Sequence, residues 1–559
     1  MSQTEHNIVA SREHILNSQT VVEESPLLHT NTLAENSSPP AADPFKSSLE
    51  AGITWPCLAS AVIICISPLQ YGYHIAELNT PKNIITSCNK DAVHWSSLPL
   101  CLPMNDTMYS IATSAFAVGG LLGSLSAGWM AEKWGRRGAL IYNSVPFIFG
   151  PLLMAFAISP VMLAVGRFIS GLGSGVSVVI APLYLSEIAP VKYRGTLNLL
   201  NQFSIVVGVL TTLTVGMLAN SGPYWRISVG FGLVLACLHL FVFPFAVESP
   251  RYLWSRNKRV EARNVLRKLR HTPDVDEEVA GWPTSTLTIS RDRALLNRHG
   301  PGEPRATASN TVLQNNVPQG NGAKPDDDDN DDDGDYNNNN TEGGLLATTA
   351  KVTVFNIFRF ARYRKAWLLV LLLQFGQQLS GINAIFYYSS SVLAKMFSSQ
   401  LVGILTMMIG VLNVIATASG ALVVDRFGRR PLLFSSIAAM TVSMILLGLG
   451  LGIGNNILAA VSIYLVVASF APGYGPVPFL LGTELFDVRA ASAGGSWALA
   501  ANWIGTFIVA VAFLPIQNLI GVWVFAIFIS ALLVCGAVFY FFIPETKGRT
   551  IEEIAAEFE

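Results

Sequence analysis

The stretch "GWMAEKWGRR" (Gly128–Arg137) returns 293 positions later as "ALVVDRFGRR" (Ala421–Arg430). Both follow a long apolar run, and both carry an acid ahead of a glycine and two arginines. Other motifs recur in the same order: "YLSEIAPVKYRG" with "LLGTELFDVRA", and "AVESPRYL" with "FIPETKGRT". Motifs that repeat in order indicate a parallel pseudo-twofold repeat, which places any solute site between the two halves.

The composition indicates a membrane protein. The chain has 559 residues, 51% hydrophobic and 13% charged, whereas soluble domains have roughly 25% charged residues. Apolar runs long enough to cross a bilayer number twelve, near 53–73, 110–131, 139–158, 161–183, 198–219, 227–247, 366–392, 400–424, 432–454, 457–481, 493–515 and 521–543. The predicted fold is an all-α polytopic membrane protein with twelve transmembrane helices in two pseudo-symmetric six-helix bundles.

Basic residues predict the orientation of the chain. With the N-terminus in the cytosol, the short cytosolic loops hold nine Lys and Arg residues and the opposite loops hold four. The first 52 residues are polar and lack the apolar core of a signal peptide. We therefore expect both termini in the cytosol.

The predicted divisions of the chain follow its composition. The long loop contains "KPDDDDNDDDGDYNNNN", with eight Asp between 326 and 335; such a run is typical of an unfolded linker rather than of a partner or cation site. The divisions are a disordered cytosolic tail (1–52), the first bundle (53–253), a cytosolic loop with the acidic segment (254–365), the second bundle (366–543) and a short cytosolic tail (544–559).

These motifs, in combination and in order, resemble the sugar porter family of the major facilitator superfamily. The resemblance covers nearly all of 53–253 and 366–550. It is carried by "GRR" twice, "PLYLSEIAP", "ESPRYL", "QQLSGINAIFYYS", "GPVP" and "PETKGRT". It implies the major facilitator fold and transport of a hexose or a related sugar or polyol by alternating access. The rival function is a non-transporting sugar sensor.

Three amides stand in seven positions of "QQLSGINAIFYYS": Gln377, Gln378 and Asn383. A polar side chain in hydrocarbon is costly unless protein or water satisfies it. One interpretation is contact between helices, because amides hold membrane helices together. The other is a sugar site, because hydroxyls need groups that donate and accept. Gly381 is predicted to break the helix, since Asn383 would otherwise lie about 120° from Gln377.

Other helices supply further amides and aromatic rings, and these favour the sugar site. The flat C–H face of a sugar ring packs on an aromatic side chain. Resemblance to facilitative glucose transporters assigns Gln202, Gln377, Gln378, Asn383 and Asn413 to sugar hydroxyls, and Phe479 stands where those transporters usually have Trp. The complete predicted site is Gln202, Gln377, Gln378, Asn383, Asn413, Phe479, Asn502 and Trp503.

The motifs at the expected cytosolic ends pair acids with arginines. Positive-inside topology explains the arginines but not the interleaved acids. A charge network that breaks when the cytosolic mouth opens explains both. The predicted pairs lie within single motifs: Glu132 with Arg136 and Arg137, Glu187 with Arg194, Glu248 with Arg251, Asp425 with Arg429 and Arg430, and Glu484 followed by Arg489. Arg489 lies two residues earlier than the family pattern places it.

The segment "YGYHIAELN" of the first apolar run contains the residues that bear on proton coupling. Proton-coupled sugar porters usually carry Asp after the aromatic-Gly-aromatic step, facing the Arg of "GRF", here Arg167. This chain has His74 at that position, and a neutral His cannot form a carboxylate–guanidinium pair. We therefore expect facilitated diffusion rather than proton-coupled symport or antiport. Glu77, three residues on, leaves two alternatives open: it takes the proton, or it only bonds a neighbouring helix.

The remaining signals concern address and processing. Glu23 precedes the pair Leu27 and Leu28 in "EESPLLH", which resembles an acidic dileucine signal read by a sorting adaptor. It favours a vacuolar or lysosomal membrane, with the plasma membrane as the alternative. The first non-cytosolic loop holds the sequon at Asn105, which predicts glycosylation. It also holds Cys88 and Cys101, for which a disulfide and two free thiols are both open.

No motif indicates catalysis, metal binding or a cofactor. The six cysteines lack metal-ligand spacing. We expect no enzyme activity, no cofactor, no metal and no nucleic-acid partner. The expected partners are a small neutral sugar or polyol, the lipid bilayer and a sorting adaptor, and the expected state is a monomer.

Overall fold

A computed structural model gives the coordinates of most of the two halves. It describes residues 52–86, 98–219, 221–280, 282, 352, 354–486, 490–547, 549 and 553–554. Several predictions fall outside these residues: the sorting residues, the acidic run, Cys88 and Arg489. The side chain of Asp425 is also outside the described part.

Helices make up both halves. The first half comprises α1 (Trp55–Ala76), α2 (Lys82–Thr86), α3 (Asp106–Tyr142), α4 (Ser144–Ala155), α5 (Pro160–Ile188), α6 (Arg194–Leu218) and α7 (Trp225–Val242). Three short helices follow: α8 (Pro250–Ser255), α9 (Arg259–Arg270) and α10 (Asp276–Ala280). The second half comprises α11 (Ala361–Leu379), α12 (Ile382–Leu393), α13 (Ser399–Phe427), α14 (Arg429–Gly452), α15 (Asn456–Phe470), α16 (Val477–Glu484), α17 (Ala491–Ile520) and α18 (Val524–Phe542).

The predicted twelve crossings are confirmed. Nine spans of the described residues are long and apolar enough to cross a membrane, and two of them have 50 residues each, Asp106–Ala155 and Ala493–Phe542. A helix of that length is about 75 Å long, more than twice the roughly 30 Å core of a bilayer, so each crosses twice. They turn at Gly135 (φ 80°) and Gly521 (φ 59°). The shorter apolar helix α15 completes the twelve.

Polar and proline residues set where several helices begin. Thr54, Asn105, Ser159 and Asn455 each accept a hydrogen bond from a backbone N–H in the first turn of α1, α3, α5 and α15. Such caps satisfy N–H groups that have no partner inside the helix. Proline stands in the first turn of α1 and α5, where its missing N–H costs nothing. Capping and proline residues in the sequence thus mark where these four membrane-crossing helices begin.

The repeat in the sequence is also a repeat in structure. In both halves the glycine before the two arginines has a positive φ, 80° at Gly135 and 88° at Gly428, a conformation that glycine adopts without strain. We call the end of the molecule that carries these two loops the basic end. It is the end we expect in the cytosol. The other end is called the opposite end.

In the described residues, the most extensive contacts between the halves are those of α3 with α17 and of α6 with α13. Small residues permit the close approach. A Cβ on Gly120 would lie 2.4 Å from the ring of Trp503, and one on Gly410 would lie 3.0 Å from Leu210 Cα. Glycine at both positions therefore lets the two bundles touch.

Hydrogen bonds join the halves at the opposite end. Asn79 donates to Ser389 Oγ at 2.8 Å and accepts from the backbone N–H of Ser390 at 3.1 Å, and the Ser390 hydroxyl donates to Asn79 O. Asn518 donates to the Asp106 carboxylate at 2.8 Å, and Lys82 lies 2.9 Å from the same carboxylate. The opposite end is therefore bonded across the two halves.

Candidate functional site

The amide-rich segment lies where a membrane-crossing helix is broken. α11 ends at Leu379, α12 begins at Ile382, and Gly381 between them has φ 84°. A Cβ there would lie 2.7 Å from the ring of Phe528 and would favour a different φ. The predicted break at Gly381 is confirmed. It brings Asn383 to 2.5 Å from Gln378, with the Asn383 Nδ2 donating to Gln378 Oε1.

Gln377 uses all of its hydrogen-bonding capacity inside the protein. Its Nε2 donates to Tyr474 O at 2.7 Å and to Gly475 O at 2.8 Å. Its Oε1 accepts from Asn502 at 2.9 Å and from Gln378 at 3.1 Å. A glutamine amide has two donor hydrogens and two acceptor lone pairs, so Gln377 has none left for a ligand. In this conformation it ties α11 to the segment before α16 and to α17.

The neighbouring amides keep free groups. Gln378 uses one N–H, to Gln377, and one lone pair, from Asn383. Asn383 donates both amide hydrogens, to Gln378 and to Thr506 Oγ1 at 3.2 Å. Asn502 also donates both, to Gln374 at 2.8 Å and to Gln377. Among the described residues this leaves an N–H and a lone pair on Gln378, and the Oδ1 atoms of Asn383 and Asn502.

Two members of the cluster were not predicted from the sequence. Gln374 is 1% exposed, accepts from Asn502, and its Nε2 has no hydrogen-bond partner in the described part of the chain. It stands in the same apolar run as Gln377 and could have been recognised as another costly polar group. Thr506 gives no such signal, because a threonine is common in membrane helices and only the packing of α17 brings it to Asn383.

The other predicted site residues are on four helices. Gln202 is half-buried on α6 and Asn413 is buried on α13, the two helices that pack together between the halves. Phe479 on α16 is 38% exposed. Trp503 on α17 is buried against Tyr71 and Phe116 of the first half, with ring centroids 5.9 and 5.8 Å away. Trp503, which follows Asn502 of the amide cluster, thus lies at the contact between the halves.

A second polar cluster is buried within the first half. Glu77 Oε1 lies 2.6 Å from Arg167 Nη1, and Glu77 Oε2 lies 2.8 Å from His74 Nδ1. All three side chains are fully buried. Arg167 also donates to His74 O at 2.6 Å and lies over the ring of Phe116. Glu77 supplies the carboxylate that His74 cannot, so a carboxylate–guanidinium pair exists here after all.

In the first half, the predicted charge pairs at the basic end have the wrong partners; the Asp425 side chain and Arg489 of the second half lie outside the described residues. Arg136 pairs with Glu187 at 2.7 Å rather than with Glu132, which is exposed. Glu187 therefore pairs across motifs and not with Arg194. Glu248 accepts hydrogen bonds from the backbone N–H groups of Arg136 and Arg137 at 2.9 and 3.2 Å. These acids bond to residues of neighbouring motifs because the motifs lie close together in the folded protein.

Arg251, the predicted partner of Glu248, makes a different contact. Its guanidinium lies 5.8 Å from the ring centroid of Trp282, within the range of a cation–π contact. The backbone N–H of Ser249 is a third donor to Glu248, at 2.8 Å. The carboxylate of Glu248 thus accepts hydrogen bonds from backbone N–H groups at the start of a helical segment, where negative charge is favoured.

The second half repeats this arrangement and adds a residue that the sequence analysis missed. Arg429 pairs with Glu484 at 3.1 Å. Glu545 accepts from the backbone N–H groups of Arg429 and Arg430, each at 3.0 Å, as Glu248 does in the first half. The alignment of "AVESPRYL" with "FIPETKGRT" contained the signal, since Glu545 is the only acid in the second motif.

The two helix-capping acids differ in their electrostatics. Burial raises the pKa of the Glu248 carboxyl above its usual value, and the three N–H donors only partly oppose this. Burial also raises the pKa of Glu545, but four backbone N–H donors outweigh it and hold the pKa below the usual value. The charged form is therefore favoured at Glu545 and disfavoured at Glu248.

The loop between α2 and α3 contains the predicted processing sites. Asn105 is exposed, and its Oδ1 accepts from Met108 N at 2.8 Å. The amide nitrogen, which a glycan would modify, is not used in that cap. Cys101 is disulfide-bonded, and its predicted partner, Cys88, lies outside the described residues.

Two six-helix bundles with a polar cluster at their contact define a major facilitator-type transporter. A family described as "Sugar (and other) transporter" matches residues 60–296 and 303–558, so the chain belongs to the sugar transporter family. It is 32% identical over 506 residues to the facilitated glucose transporter member 1 of solute carrier family 2 from Gallus gallus, covering 88% of this chain and 91% of the relative.

Further comparisons agree on family and fold. A probable metabolite transport protein of Saccharomyces cerevisiae is 30% identical over 511 residues, covering 89% of this chain and 94% of the relative. The inward-open xylose transporter of E. coli superposes with a TM-score of 0.65 at 21% identity, covering 90% of this chain and all of that chain. The second likeness concerns the fold alone.

Proposed function

We propose that this chain carries a small neutral sugar or polyol across its membrane as a monomer, by alternating access. The observation that carries the proposal is the amide cluster, whose unused groups both donate and accept. A sugar hydroxyl does the same. No charged side chain belongs to the cluster, as far as the described residues show, which suits a neutral solute. The names of the relatives, glucose and metabolite transporters, support the same substrate class.

Within the cluster, we assign ligand contacts to Gln378, Asn383 and Asn502, with Gln202, Asn413, Phe479 and Trp503 completing the site. The test is to measure sugar binding by the variants Gln378→Ala and Asn383→Ala. Each loses a hydrogen bond worth about 1 kcal/mol, so affinity should fall about fivefold. Gln70→Ala is the control, because Gln70 is a buried amide on α1 that bonds Gly232 O instead. Unchanged affinity in both cluster variants would overturn the assignment.

Alternating access is supported by where the two halves are joined. The hydrogen bonds of Asn79 and Asp106 cross between the halves at the opposite end. The ion pairs Arg136–Glu187 and Arg429–Glu484 at the basic end each lie within one half. We propose that the charged residues at the basic end, including Arg194, Asp425 and Arg489, form the gate there.

The transport mode has two candidates. The relatives named facilitated glucose transporters support facilitated diffusion. The buried Glu77–Arg167 pair favours proton coupling, because it restores the carboxylate whose absence argued against coupling. Protonation of Glu77 would leave Arg167 charged and unpaired, which is strongly unfavourable in a buried site, so a bound proton would drive a rearrangement.

Uptake under an imposed proton gradient separates the two modes. In facilitated diffusion the labelled sugar reaches the same concentration on both sides, with or without the gradient. In proton coupling it accumulates above that level, and Glu77→Gln, which cannot take up a proton, only equilibrates. Accumulation by the wild-type chain would reject facilitated diffusion. Accumulation that persists in Glu77→Gln would reject Glu77 as the proton site.

We also propose a vacuolar or lysosomal membrane, with both termini in the cytosol. The support is the sequence Glu23 to Leu28, which suits a sorting adaptor. A Leu27→Ala, Leu28→Ala variant should move to the plasma membrane in cells that express a fluorescent fusion. The matched control is Ile15→Ala, Leu16→Ala, which removes an apolar pair elsewhere in the same tail. An identical distribution of wild type and the Leu27, Leu28 variant would disprove the signal.

A further inference from the structure

The ring of Phe116 on α3 contacts both of the buried polar clusters. The Arg167 guanidinium lies over its face, 4.5 Å from the ring centroid. The Trp503 ring stands at 69° to it, with the two centroids 5.8 Å apart. Arg167 belongs to the ion pair of the first half, whereas Trp503 follows Asn502 of the amide cluster in the second half. Phe116, which is 1% exposed, thus lies between the ion pair and the proposed sugar site.

The guanidinium of Arg167 has few other contacts. Among the described residues, its Nη1 atom donates to Glu77 Oε1 and to His74 O, both at 2.6 Å. Its Nε and Nη2 atoms have no hydrogen-bond partner there. A desolvated cation is attracted to the negative face of an aromatic ring. The position of the guanidinium therefore depends on the Glu77 charge, on one backbone carbonyl and on the face of Phe116.

The backbones around this ring are already in contact, so they leave little room for a change. A Cβ on Gly171 of α5 would lie 2.1 Å from Phe116 O. Trp503 reaches the same place from the other half, since a Cβ on Gly120 would lie 2.4 Å from its ring. Close-packed interiors transmit strain. A displacement of the Arg167 guanidinium is therefore passed to the neighbouring side chains, of which Phe116 is in direct contact with Trp503.

We propose that Phe116 is a positioning residue that links the Glu77–Arg167 pair to the sugar site. The link rests on the proposed function, because Trp503 is assigned to that site. While Glu77 is charged, it draws the guanidinium to its own side, and Phe116 keeps the orientation on which Trp503 packs. When Glu77 loses its charge, the guanidinium moves further over the ring, and the Phe116 and Trp503 side chains shift together. The charge of Glu77 thus alters a contact between the halves beside the sugar site.

Fluorine NMR of the full chain in lipid nanodiscs, with fluorotryptophan in place of tryptophan, tests the link without any sugar. The resonance of Trp503 is assigned by its loss in Trp503→Phe. Glu77→Gln should shift this resonance, because the displaced guanidinium moves the Phe116 ring against Trp503. In a Phe116→Leu background the same substitution should leave the resonance in place. A shift of equal size in Phe116→Leu, or no shift in the wild-type background, would overturn the proposal.

Tyr71→Leu is the matched control background. The Tyr71 ring also contacts Trp503, with 5.9 Å between centroids, but the cation over an aromatic face here is Arg167 on Phe116. The shift caused by Glu77→Gln should therefore remain in Tyr71→Leu, and its loss there would deny Phe116 a specific role. If Glu77→Gln does not fold, Glu77→Asp replaces it, because its side chain is one methylene shorter and draws the carboxylate away from Arg167. The same pattern is then required of Glu77→Asp.

Sugar binding by the same variants separates this link from the proposed function. Glu77→Gln should weaken binding about fivefold, which is the low end of typical coupling between two sites, but less than about twofold in the Phe116→Leu background. Equal fold-changes in the two backgrounds would overturn the link to the sugar site. If the Trp503 resonance follows the expected pattern but the folded chain binds no sugar, the link from the ion pair to Trp503 stands and the proposed function is refuted.

Discussion

At the scale of single residues, neighbouring amides in one motif have different tasks. Gln377 has every donor and acceptor engaged by the protein, whereas Gln378 keeps one of each. In this conformation Gln377 joins helices, which is one of the two interpretations of the amides, and the proposed sugar contacts belong to its neighbours. Sequence alone could not separate the two, since both residues are glutamines on the same apolar run.

Gln377→Ala should therefore act on stability more than on sugar contact. The change leaves Tyr474 O, Gly475 O and an Asn502 hydrogen without their partner, and unpaired buried groups cost about 1–3 kcal/mol each. We expect a lower unfolding temperature than in Gln378→Ala, measured in detergent without sugar. Gln378→Ala should show the larger loss of affinity relative to its loss of stability. Weaker sugar binding by Gln377→Ala at an unchanged unfolding temperature would contradict this division of roles.

At the scale of elements, the apolar runs and glycines predicted the crossings well. Twelve runs of sufficient length gave twelve crossings, and Gly381 marked the broken one, because length and glycine backbone freedom are local properties. The charge pairs were not local. Glu187 and Arg136 are 51 positions apart, and only the packing of α3 against α5 brings them together. Pairings between helices therefore could not be read from motif spacing.

The two helix-capping acids should respond differently to neutralisation. The folded-state pKa of Glu545 is held below the ordinary value of 4.5, so its charge stabilises the fold above that pH, and the stabilisation is lost as pH falls through the lowered pKa. The pKa of Glu248 is raised, so its charge opposes folding. At pH 7 Glu545→Gln should lower the unfolding temperature more than Glu248→Gln does.

The same two variants at pH 4 provide the check. At pH 4 the difference in unfolding temperature between wild type and Glu545→Gln should be smaller than at pH 7, because pH 4 is closer to the pH at which the wild-type carboxyl is protonated. Equal destabilisation by the two substitutions at pH 7 would show that the carboxylates are equivalent caps.

The start of α3 carries both a cap and a sequon, and two substitutions separate them. Asn105→Gln removes the predicted glycan site and the cap to Met108 N, and loss of the cap costs about 0.5–2 kcal/mol. Thr107→Ala removes only the sequon, because Asn105 remains and keeps the cap. We expect both variants to migrate like glycosidase-treated wild type, and only Asn105→Gln to unfold earlier than that treated protein. A glycan that persists in Thr107→Ala would place the modification elsewhere.

At the scale of the whole molecule, the halves are joined by hydrogen bonds at the opposite end and touch through Trp503 near the amide cluster. The repeat in the sequence predicted two similar bundles, since its motifs recur in order. It could not predict which end is joined, because an alternating transporter has one conformation with the basic end closed and another with the opposite end closed. That property belongs to the conformation and not to the motifs.

Asn79→Ala should shift the molecule towards the state that is open at the opposite end. It removes the side-chain hydrogen bonds with Ser389 and Ser390 that cross the halves, each worth about 1 kcal/mol. Distances between spin labels at Met108 and Leu519, both exposed near that end, should lengthen. Thr86→Ala is the control, because its hydroxyl donates to Lys82 O in the same helix and makes no other bond among the described residues. An unchanged distance distribution in Asn79→Ala would show that these bonds do not hold that end together.

Sugar transport itself is tested most directly by uptake into proteoliposomes that contain only this chain. A panel of labelled hexoses, pentoses, inositol and linear polyols should include at least one solute that enters saturably, and Gln378→Ala should need about fivefold more of it for half-maximal uptake. Binding of a sugar without uptake would instead identify a sensor. No entry and no binding of any neutral sugar or polyol, by protein that remains folded, would contradict the proposed function.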